Sequence, residues 1–349
     1  MDEHPRITDV AARAGVSPST VSVVLNAVNG VRVSEGTRRR VVEAAELLGY
    51  TPNPLARGLR TGRSQTIGFV SDAVASTPYA GRMIQGAQDV AWRAGMVLIL
   101  VDTGGDAQLE RHALRTLVHR QVDGIVYASF YHRVVEVPQL RGRLPLVLAD
   151  ASPARGFVPH VVPDEVGGAV AAVLELLGHG HRRIGFVNER GDIPAAEGRM
   201  RGYHLALARY GVPFDPALVQ RAATTTHGGQ QAVDRLLDLP APPTGVFCFN
   251  DQTAMGAYQA AAERGLRVPE DLSVVGFDDQ ELIASALSPS LTTVALPHYE
   301  MGAWAVKMLL GAIDGVAAGT DQPLQKLMPC PLVRRDSVGL PVRRLERRS

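Results

Sequence analysis

A chain of 349 residues is longer than a single hydrophobic core usually supports, so its length indicates two or three compact units. Hydrophobic residues make up 46% and charged residues 20%, as in soluble globular proteins, and no uninterrupted apolar run is long enough to span a membrane. The net charge of +1 conceals an uneven layout: residues 1–64 hold nine arginines and six acids, and residues 331–349 hold six arginines and two acids. A basic head on a more acidic body suits a polyanionic partner.

The first residues, Met1–Arg6, lack the basic region and apolar segment of a secretory signal, so we expect a cytoplasmic protein. The two cysteines, Cys248 and Cys330, lie far apart and match no metal-binding spacing. Cys248 stands in an apolar run, which predicts a buried free thiol. We therefore expect neither a metal nor a cofactor.

The first fifty residues predict three short helices. Thr8 is expected to cap a helix over 9–14 that stops at Gly15, and Ser17 to cap a second helix over 19–26 that has Pro18 at its first position. A third helix is expected over 37–48. Their apolar faces would form one small core, from Val10, Ala11, Ala14, Val21, Val24, Leu25, Val41, Val42, Ala45 and Leu48. Two short helices around a glycine turn predict a helix-turn-helix.

The second helix presents the hydroxyls of Ser17, Ser19, Thr20 and Ser22. Hydroxyls and helix N-terminal amides suit phosphates and base edges, so this surface favours DNA binding. Taken alone, the pattern leaves open a small three-helix bundle with no nucleic-acid partner.

Two longer strings carry a family resemblance. Residues 7–26, ITDVAARAGVSPSTVSVVLN, closely resemble the headpiece of lactose-repressor-type (LacI-type) regulators, and residues 48–60, LGYTPNPLARGLR, are similar to the hinge of that family. The resemblance implies that the second helix enters the major groove of operator DNA. It also implies that the hinge becomes helical on DNA and wedges a leucine into the minor groove.

Transferred by motif, base readout is assigned to Pro18, Ser19 and Val23, with Leu59 as the wedge and Ala56 beside it. Val23 departs from the polar or basic residue that relatives commonly have, and it can contact a thymine methyl but not a guanine edge. Gly58 weakens the hinge helix by about 1 kcal/mol relative to alanine, which suits a segment that orders on binding. The expected DNA-binding residues are Thr8, Ser17, Pro18, Ser19, Thr20, Ser22, Val23, Asn26, Ala56 and Leu59.

Beyond residue 65, short apolar runs alternate with helical segments. Strands are expected at 67–70, 97–101, 124–126, 146–148, 183–187, 245–249 and 273–277, and helices at 83–94, 109–119, 165–177, 199–210, 228–237 and 252–264. Repeated strand–helix units predict parallel sheets covered by helices, here as two Rossmann-like lobes with a cleft between them. Ligands of such sheets bind beyond the carboxyl ends of the strands.

The body resembles the effector domain of the same family, whose fold is shared with periplasmic sugar-binding proteins. The expected architecture is an all-α headpiece (1–50), a hinge (51–64) and a periplasmic-binding-protein-like α/β body (65–349). Three crossings are expected, near 161–164, 289–293 and 324–327. Lobe one would hold about 66–161 and 293–324, and lobe two about 162–292 and 325–340.

Polar residues follow the predicted strands where a ligand in the cleft would lie: Asp72, Tyr79, Asp150, Arg199, Asn250 and Asp278. Carboxylates accept from hydroxyls, a guanidinium donates a fork, and an amide does both. Arg199, Asn250 and Asp278 match ligand positions of the family, and His298 stands where a relative has an aromatic. Each could instead be a solvated loop residue or a helix cap, and Asp251 and Asp279 are candidate caps.

Residues 222–227, AATTTH, lack the aromatic that stacks the ligand in several relatives, which favours a sugar over a flat base. The expected function is therefore an effector-controlled transcriptional regulator, most simply a repressor. Its expected partners are a carbohydrate, a second copy of the chain and a pseudo-palindromic operator in double-stranded DNA. A Rossmann-like enzyme is disfavoured because 178–185, GHGHRRIG, has the wrong glycine spacing and precedes a strand, so it is read as a helix-ending turn with surface histidines. A periplasmic-type sugar receptor leaves the headpiece unexplained.

Overall fold

The computed structural model describes residues 5–25, 32–51, 62–77, 80–140, 144–315 and 324–341. The chain divides into two compact units, Met1–Gln65 and Thr66–Ser349. Among the described residues, no helix combines the length and apolar character needed to cross a membrane.

The first unit, the headpiece, contains three helices: α1 (Ile7–Ala14), α2 (Pro18–Leu25) and α3 (Glu35–Leu48). The expected cap at Thr8 is wrong. The helix begins two residues earlier, with Arg6 at the cap position, where the backbone N–H of Arg6 donates to the Asp9 carboxylate at 2.7 Å. Ser17 does cap α2, since its Oγ accepts from the backbone N–H of Thr20 at 3.2 Å.

The headpiece core is close to the predicted one. Its buried side chains are Val10, Ala11, Ala14, Val21, Val24, Val41, Ala44 and Ala45. Val42 was expected inside but is 38% exposed. The buried face of α3 consists instead of Val41, Ala44 and Ala45, which are spaced three and four residues apart as on one face of a helix.

The second unit, the body, alternates strands and helices. Its first half contains β1 (Thr66–Ser71), α4 (Gly81–Arg93), β2 (Val97–Asp102), α5 (Ala107–His119), β3 (Gly124–Val135), β4 (Leu146–Pro153), β5 (His160–Pro163) and α6 (Glu165–Gly178). The chain continues through β6 (Ile184–Glu189), α7 (Pro194–Arg209), β7 (Val219–Ala222), α8 (Thr226–Leu237), β8 (Gly245–Cys248), α9 (Asp251–Glu263), β9 (Ser273–Asp278), α10 (Glu281–Ala284), β10 (Thr292–Ala295), α11 (His298–Ile313), β11 (Gln325–Met328) and β12 (Leu332–Val333).

The body contains two six-stranded sheets of matching order. The first is β11-β5-β4-β3-β1-β2 and the second is β12-β10-β9-β8-β6-β7. Strand pairs are parallel throughout the described sheets except β10 with β12. Each sheet is covered by helices, which bury its apolar residues in separate cores. The predicted doubly wound, two-lobed architecture is confirmed.

Two of the three expected crossings are misplaced. Residues 293–295 were expected in lobe one, but they belong to β10, which pairs with β9 in the second sheet, so the chain crosses only at 296–297. Residues 325–328 were expected in lobe two, but they pair with β5 in the first sheet, and the crossing follows at 329–331. The first crossing lies between β5 and α6. The two misplaced segments are short strands with polar residues beside them, and the sequence does not distinguish such a strand from a linker between the lobes.

The segment 178–185 is a helix-ending turn, as predicted, because α6 ends at Gly178. His181, however, is not on the surface. It is 1% exposed, and its ring nitrogens contact Thr244 Oγ1 at 2.8 Å and the Gly339 carbonyl oxygen at 3.0 Å. Cys248 is a buried free thiol, as expected.

Gly202 of α7 lies against α6, where an added Cβ would come within 2.6 Å of both the Ala169 Cβ and the Val166 carbonyl oxygen. We expect Gly202→Ala to lower the free energy of unfolding by about 1–3 kcal/mol, because the two helices must separate. Gly311→Ala is the matched control, since a Cβ there meets nothing within 4 Å. Removing that helical glycine should stabilise the protein by up to about 1 kcal/mol. Urea unfolding of both variants measures the difference, and an equal response would contradict the packing argument.

Candidate functional site

In the headpiece, the start of α2 carries a cluster of hydroxyls. Ser17 Oγ lies 2.7 Å from Ser19 Oγ and 2.9 Å from Thr20 Oγ1. A shallow recess runs from these residues past Val23 to Ser34 and Thr37 at the start of α3. Thr8, Pro18 and Ser19 are exposed, whereas Ser22 and Val23 are half-buried. Hydroxyls at two helix N-termini are groups that bind phosphate. Asn26, Ala56 and Leu59 lie outside the described residues, as does Tyr79 of the body.

In the first lobe, Asp72 anchors an irregular stretch of β3. Its Oδ1 accepts from the backbone N–H of Phe130 at 2.9 Å, and its Oδ2 pairs with Arg133 at 2.8 Å. The pairing of β3 with β4 shifts register between Ala128 and Arg133. Such a bulge redirects side chains at the end of a strand. Asp72 therefore has a structural partner for each carboxylate oxygen.

Asp150 in β4 is the most buried acid of this lobe, at 1% exposure. Among the described residues, its Oδ1 has no hydrogen-bond partner, and Ser71 Oγ and His132 Nδ1 share this property. His298, which opens α11, approaches Asp150 Oδ2 at 3.9 Å. Buried polar atoms normally find partners, so a bound polar ligand would satisfy this group of atoms.

In the second lobe, Arg199 of α7 is held on every side. Its Nε donates to Glu165 at 2.8 Å, its Nη1 donates to the Phe249 carbonyl oxygen, and its Nη2 lies 3.8 Å from Asp278. The guanidinium carbon lies 4.1 Å from the Phe249 ring centre and 3.7 Å from that of Phe277. Burial alone would lower the pKa of Arg199, but the two carboxylates raise it overall. The charge is therefore fixed at this position.

Asp278 ends β9 beside this arginine. Burial raises the pKa of Asp278 to about 7, although Arg199 and the side chain of Gln280 oppose the rise. Gln280 Nε2 donates to its Oδ2 at 2.9 Å. The carboxyl group is thus available in both protonation states near neutral pH, as an acceptor or as a donor.

Two further acids and an amide have different roles from those expected. Asn250, not Asp251, caps α9, since its Oδ1 accepts from the Thr253 backbone N–H at 2.9 Å. Asp251 is instead fully buried and accepts from Thr293 Oγ1 and the Gln280 backbone N–H, each at 2.6 Å. Asp279 is likewise no cap but pairs with Arg335 at 2.7 Å.

Electrostatics connects the two lobes at this cleft. Burial, followed by the charge of Glu165 and the charges of Asp72 and Asp278, raises the pKa of Asp150 well above its usual value, while Arg199 opposes the rise. Burial lowers the pKa of His132, and this pKa is also raised by the charge of Glu165 and lowered by that of Arg199. Residues predicted from both lobes therefore lie within electrostatic range of one another.

Sequence reasoning missed the residues that hold these groups: Arg133, Glu165, Phe249, Phe277 and Gln280. Two carried a recognisable signal, because Phe249 and Phe277 each precede a predicted ligand residue at a strand end. Glu165 had none, since its partner Arg199 is 34 positions away. Only the packing of α6 on α7 brings this pair together.

Known protein families match the headpiece and the body separately. Two protein-family models match the sequence. The family described as "Bacterial regulatory proteins, lacI family" matches residues 6–53, and the family described as "Periplasmic binding protein-like domain" matches residues 173–338. The HTH-type transcriptional repressor CytR of Escherichia coli K12 is 36% identical over 330 residues, 94% of this chain and 95% of the relative. The Ribose operon repressor of Haemophilus influenzae is 36% identical over 306 residues, 87% of this chain and 91% of the relative.

The solved structures that are similar to this chain are also those of transcriptional regulators. The lac repressor dimer bound to operator and the anti-inducer ONPF has a TM-score of 0.80 at 27% identity, covering 97% of this chain and 100% of that one. The complex of the transcriptional regulator CelR with cellobiose has a TM-score of 0.67 at 30% identity, covering 95% of this chain and 99% of that one.

The relatives and the solved structures identify a DNA-binding regulator with a two-lobed effector domain rather than an enzyme. The chain belongs to the lacI family of bacterial regulatory proteins. Operator affinity in such a regulator is controlled by an effector through the body.

The raised pKa of Asp278 makes stability depend on pH. A carboxyl group whose pKa is higher in the folded than in the unfolded protein stabilises below the unfolded pKa, and this contribution is lost as the pH rises through the folded value of about 7. Relative to Asp278→Asn, the wild type should therefore lose about 1 kcal/mol of unfolding free energy per pH unit from pH 5 to 7. Urea titrations at several pH values measure this.

Asp106→Asn provides the control of opposite sign. Backbone N–H groups of Leu109 and Gln108 lower the pKa of this exposed helix cap, so its stabilisation is lost as the pH falls. If both variants showed the same direction of pH dependence, the assignment for Asp278 would be wrong.

Proposed function

We propose that this protein represses transcription as a homodimer on a pseudo-palindromic operator, and that a polyhydroxylated small molecule in the cleft of the body controls its affinity for DNA. The observation that carries the proposal is the facing pair of polar groups: the orphaned buried atoms around Asp150 in one lobe, and the fixed cation of Arg199 beside Asp278 in the other.

A sugar fits this chemistry. Hydroxyls both donate to carboxylates and accept from a guanidinium, and Asp150, Arg199 and Asp278 supply both kinds of group. The aromatic rings of Phe249 and Phe277 are already stacked on Arg199, so they support the arginine. The named ligands of relatives, ribose and cellobiose, belong to the same class. We propose Asp72, Asn250 and His298 as further contributors at the rim, together with Tyr79.

Homodimerisation is supported by exposed apolar residues at one edge of the first sheet. β2 is the edge strand, and its Val97 and Leu100 are 56% and 41% exposed. Trp92 on the preceding helix is 74% exposed. Large apolar side chains on a sheet edge are expected to be covered by another chain, and the lac repressor structure is that of a dimer.

Operator binding is supported by the hydroxyl-bearing surface of the headpiece. We propose that Ser17, Thr20 and Ser22 contact phosphates and that Pro18, Ser19 and Val23 face the bases, with Thr8 and Asn26 at the flanks. Ala56 and Leu59 would occupy the minor groove. Two headpieces in a dimer then read two half-sites related by symmetry.

Ser19→Glu tests the DNA surface in the full-length chain. A carboxylate at this position would repel phosphate, so we expect specific binding to DNA selected with the wild type to fall at least about a hundredfold. Leu47→Glu is the matched control, because it adds the same charge to a 70% exposed position of α3 in the same unit. Fluorescence anisotropy at several salt concentrations measures both. Equal losses would show that net charge matters and the location does not.

Asp278→Ala tests the effector cleft. We expect operator affinity without effector to remain nearly unchanged and the response to effector to be lost. Removing a charged hydrogen-bonding group corresponds to a loss of about ten- to hundredfold in effector affinity. A thermal-shift screen of sugars identifies the effector, and operator titrations with and without it measure the response. Glu281→Ala, an exposed neighbour, should respond like the wild type. An unchanged response in Asp278→Ala would exclude this cleft.

A further inference from the structure

The two lobes repeat one arrangement, which allows their cleft residues to be compared position by position. The sheets have the same strand order, so β4 of the first corresponds to β9 of the second. Asp278 is the last residue of β9, and Asp150 directly follows Ala149, the last residue of β4 that pairs with β5. Both acids have positive φ angles, 52° for Asp150 and 106° for Asp278. The carboxyl groups of the two lobes are therefore counterparts.

The packing of the helix pairs shows which residues of the two lobes correspond. In the first lobe α4 packs on α11, and in the second α7 packs on α6. A Cβ on Gly86 of α4 would collide with the Tyr299 carbonyl oxygen, and a Cβ on Gly202 of α7 would collide with the Val166 carbonyl oxygen. Each helix pair thus has a glycine of one helix against a carbonyl oxygen of the other, which aligns Gly86 with Gly202 and Tyr299 with Val166.

Counting from these contacts identifies the partners of each acid. Three residues before the glycines, Arg199 in the second lobe corresponds to Met83 in the first. One residue before the carbonyls, Glu165 corresponds to His298. The group formed by Glu165, Arg199 and Asp278 therefore has a counterpart in which a buried methionine replaces the arginine.

Asp150 consequently differs from Asp278 in its charge balance. Asp278 has the guanidinium of Arg199 at 3.8 Å, whereas the only ion-pair contact of Asp150 within the described residues is with His298, at 3.9 Å. Neither distance is that of a hydrogen bond, but the guanidinium is always charged, whereas a histidine carries charge only when protonated. The acid of the neighbouring strand, Asp72, already pairs with Arg133. A buried carboxylate without a cation is costly, and burial accordingly raises the pKa of Asp150; a cation bound beside it would favour the charged form.

We propose that the effector supplies the missing cation: a polar ligand of the amino-sugar class, whose protonated nitrogen donates to Asp150 while its hydroxyls contact the Arg199 side of the cleft. This inference rests on the proposed effector function and specifies the ligand's chemistry. The nitrogen would occupy, relative to Asp150, the role that Arg199 has relative to Asp278.

The test is a binding panel on the full-length protein at pH 7. Glucosamine, galactosamine, mannosamine and short amino alcohols are compared with their hydroxyl counterparts and with the N-acetyl sugars, in which the nitrogen is uncharged. Thermal shift identifies binders and calorimetry gives their affinities. We expect at least one amine to bind about ten- to hundredfold more tightly than both neutral forms.

Asp150→Asn should reduce that preference to near unity, because the amide keeps the shape and removes the charge. Glu136→Gln makes the same change at an exposed position just after β3 and should retain the preference. The comparison of amines with neutral forms in the wild type stands even if Asp150→Asn fails to fold.

Three results would overturn the inference: no amine binds, the neutral forms bind as well as the amines, or Asp150→Asn retains the preference. If neutral sugars bind equally well and Asp278→Ala abolishes their effect on operator binding, the ligand class is wrong but the effector cleft stands.

Discussion

The buried ion group of Arg199, Glu165 and Asp278 is the interaction on which the cleft-facing surface of the second lobe depends. It joins the first helix after the crossing, the helix after β6 and the end of β9. Two phenyl rings, from Phe249 and Phe277, enclose the guanidinium and exclude water, which strengthens each contact. Removing Arg199 would leave two buried acids without their cation, so the group depends on the arginine.

Two helices pack on the lobe that does not contain the strand before them. α6 follows a strand of the first sheet but packs on the second, and α11 follows a strand of the second sheet but packs on the first. Each lobe thus contains a helix that directly follows a strand of the other lobe. Glu165 and His298 open these exchanged helices, directly after the linkers. A rotation of one lobe relative to the other therefore acts on residues at the cleft, which is the property required to couple ligand binding to a change in shape.

The sequence predicted the headpiece helices and most strands of the body, because apolar periodicity and capping residues are local signals. It placed Asp278 correctly at the end of a strand. It also expected a strand to end before Asp150, which is wrong, because β4 continues to Pro153. It failed at residues 292–295 and 325–328, where sheet membership depends on pairing with strands far along the chain. It could not assign Asp251 either, because hydroxyl and amide partners from β10 and the loop before α10 decide its role.

The main asymmetry between the lobes lies where a ligand would bind. In the second lobe β8 is followed by α9, whose cap is Asn250. In the first lobe β3 continues through a bulge to Val135, and Asp72 and Arg133 hold the bulge in place. The duplicated sheets provide a common frame, but the groups presented at their edges differ in charge and shape. On the proposed function, ligand choice would therefore depend on the few residues at these sheet edges and not on the cores beneath them.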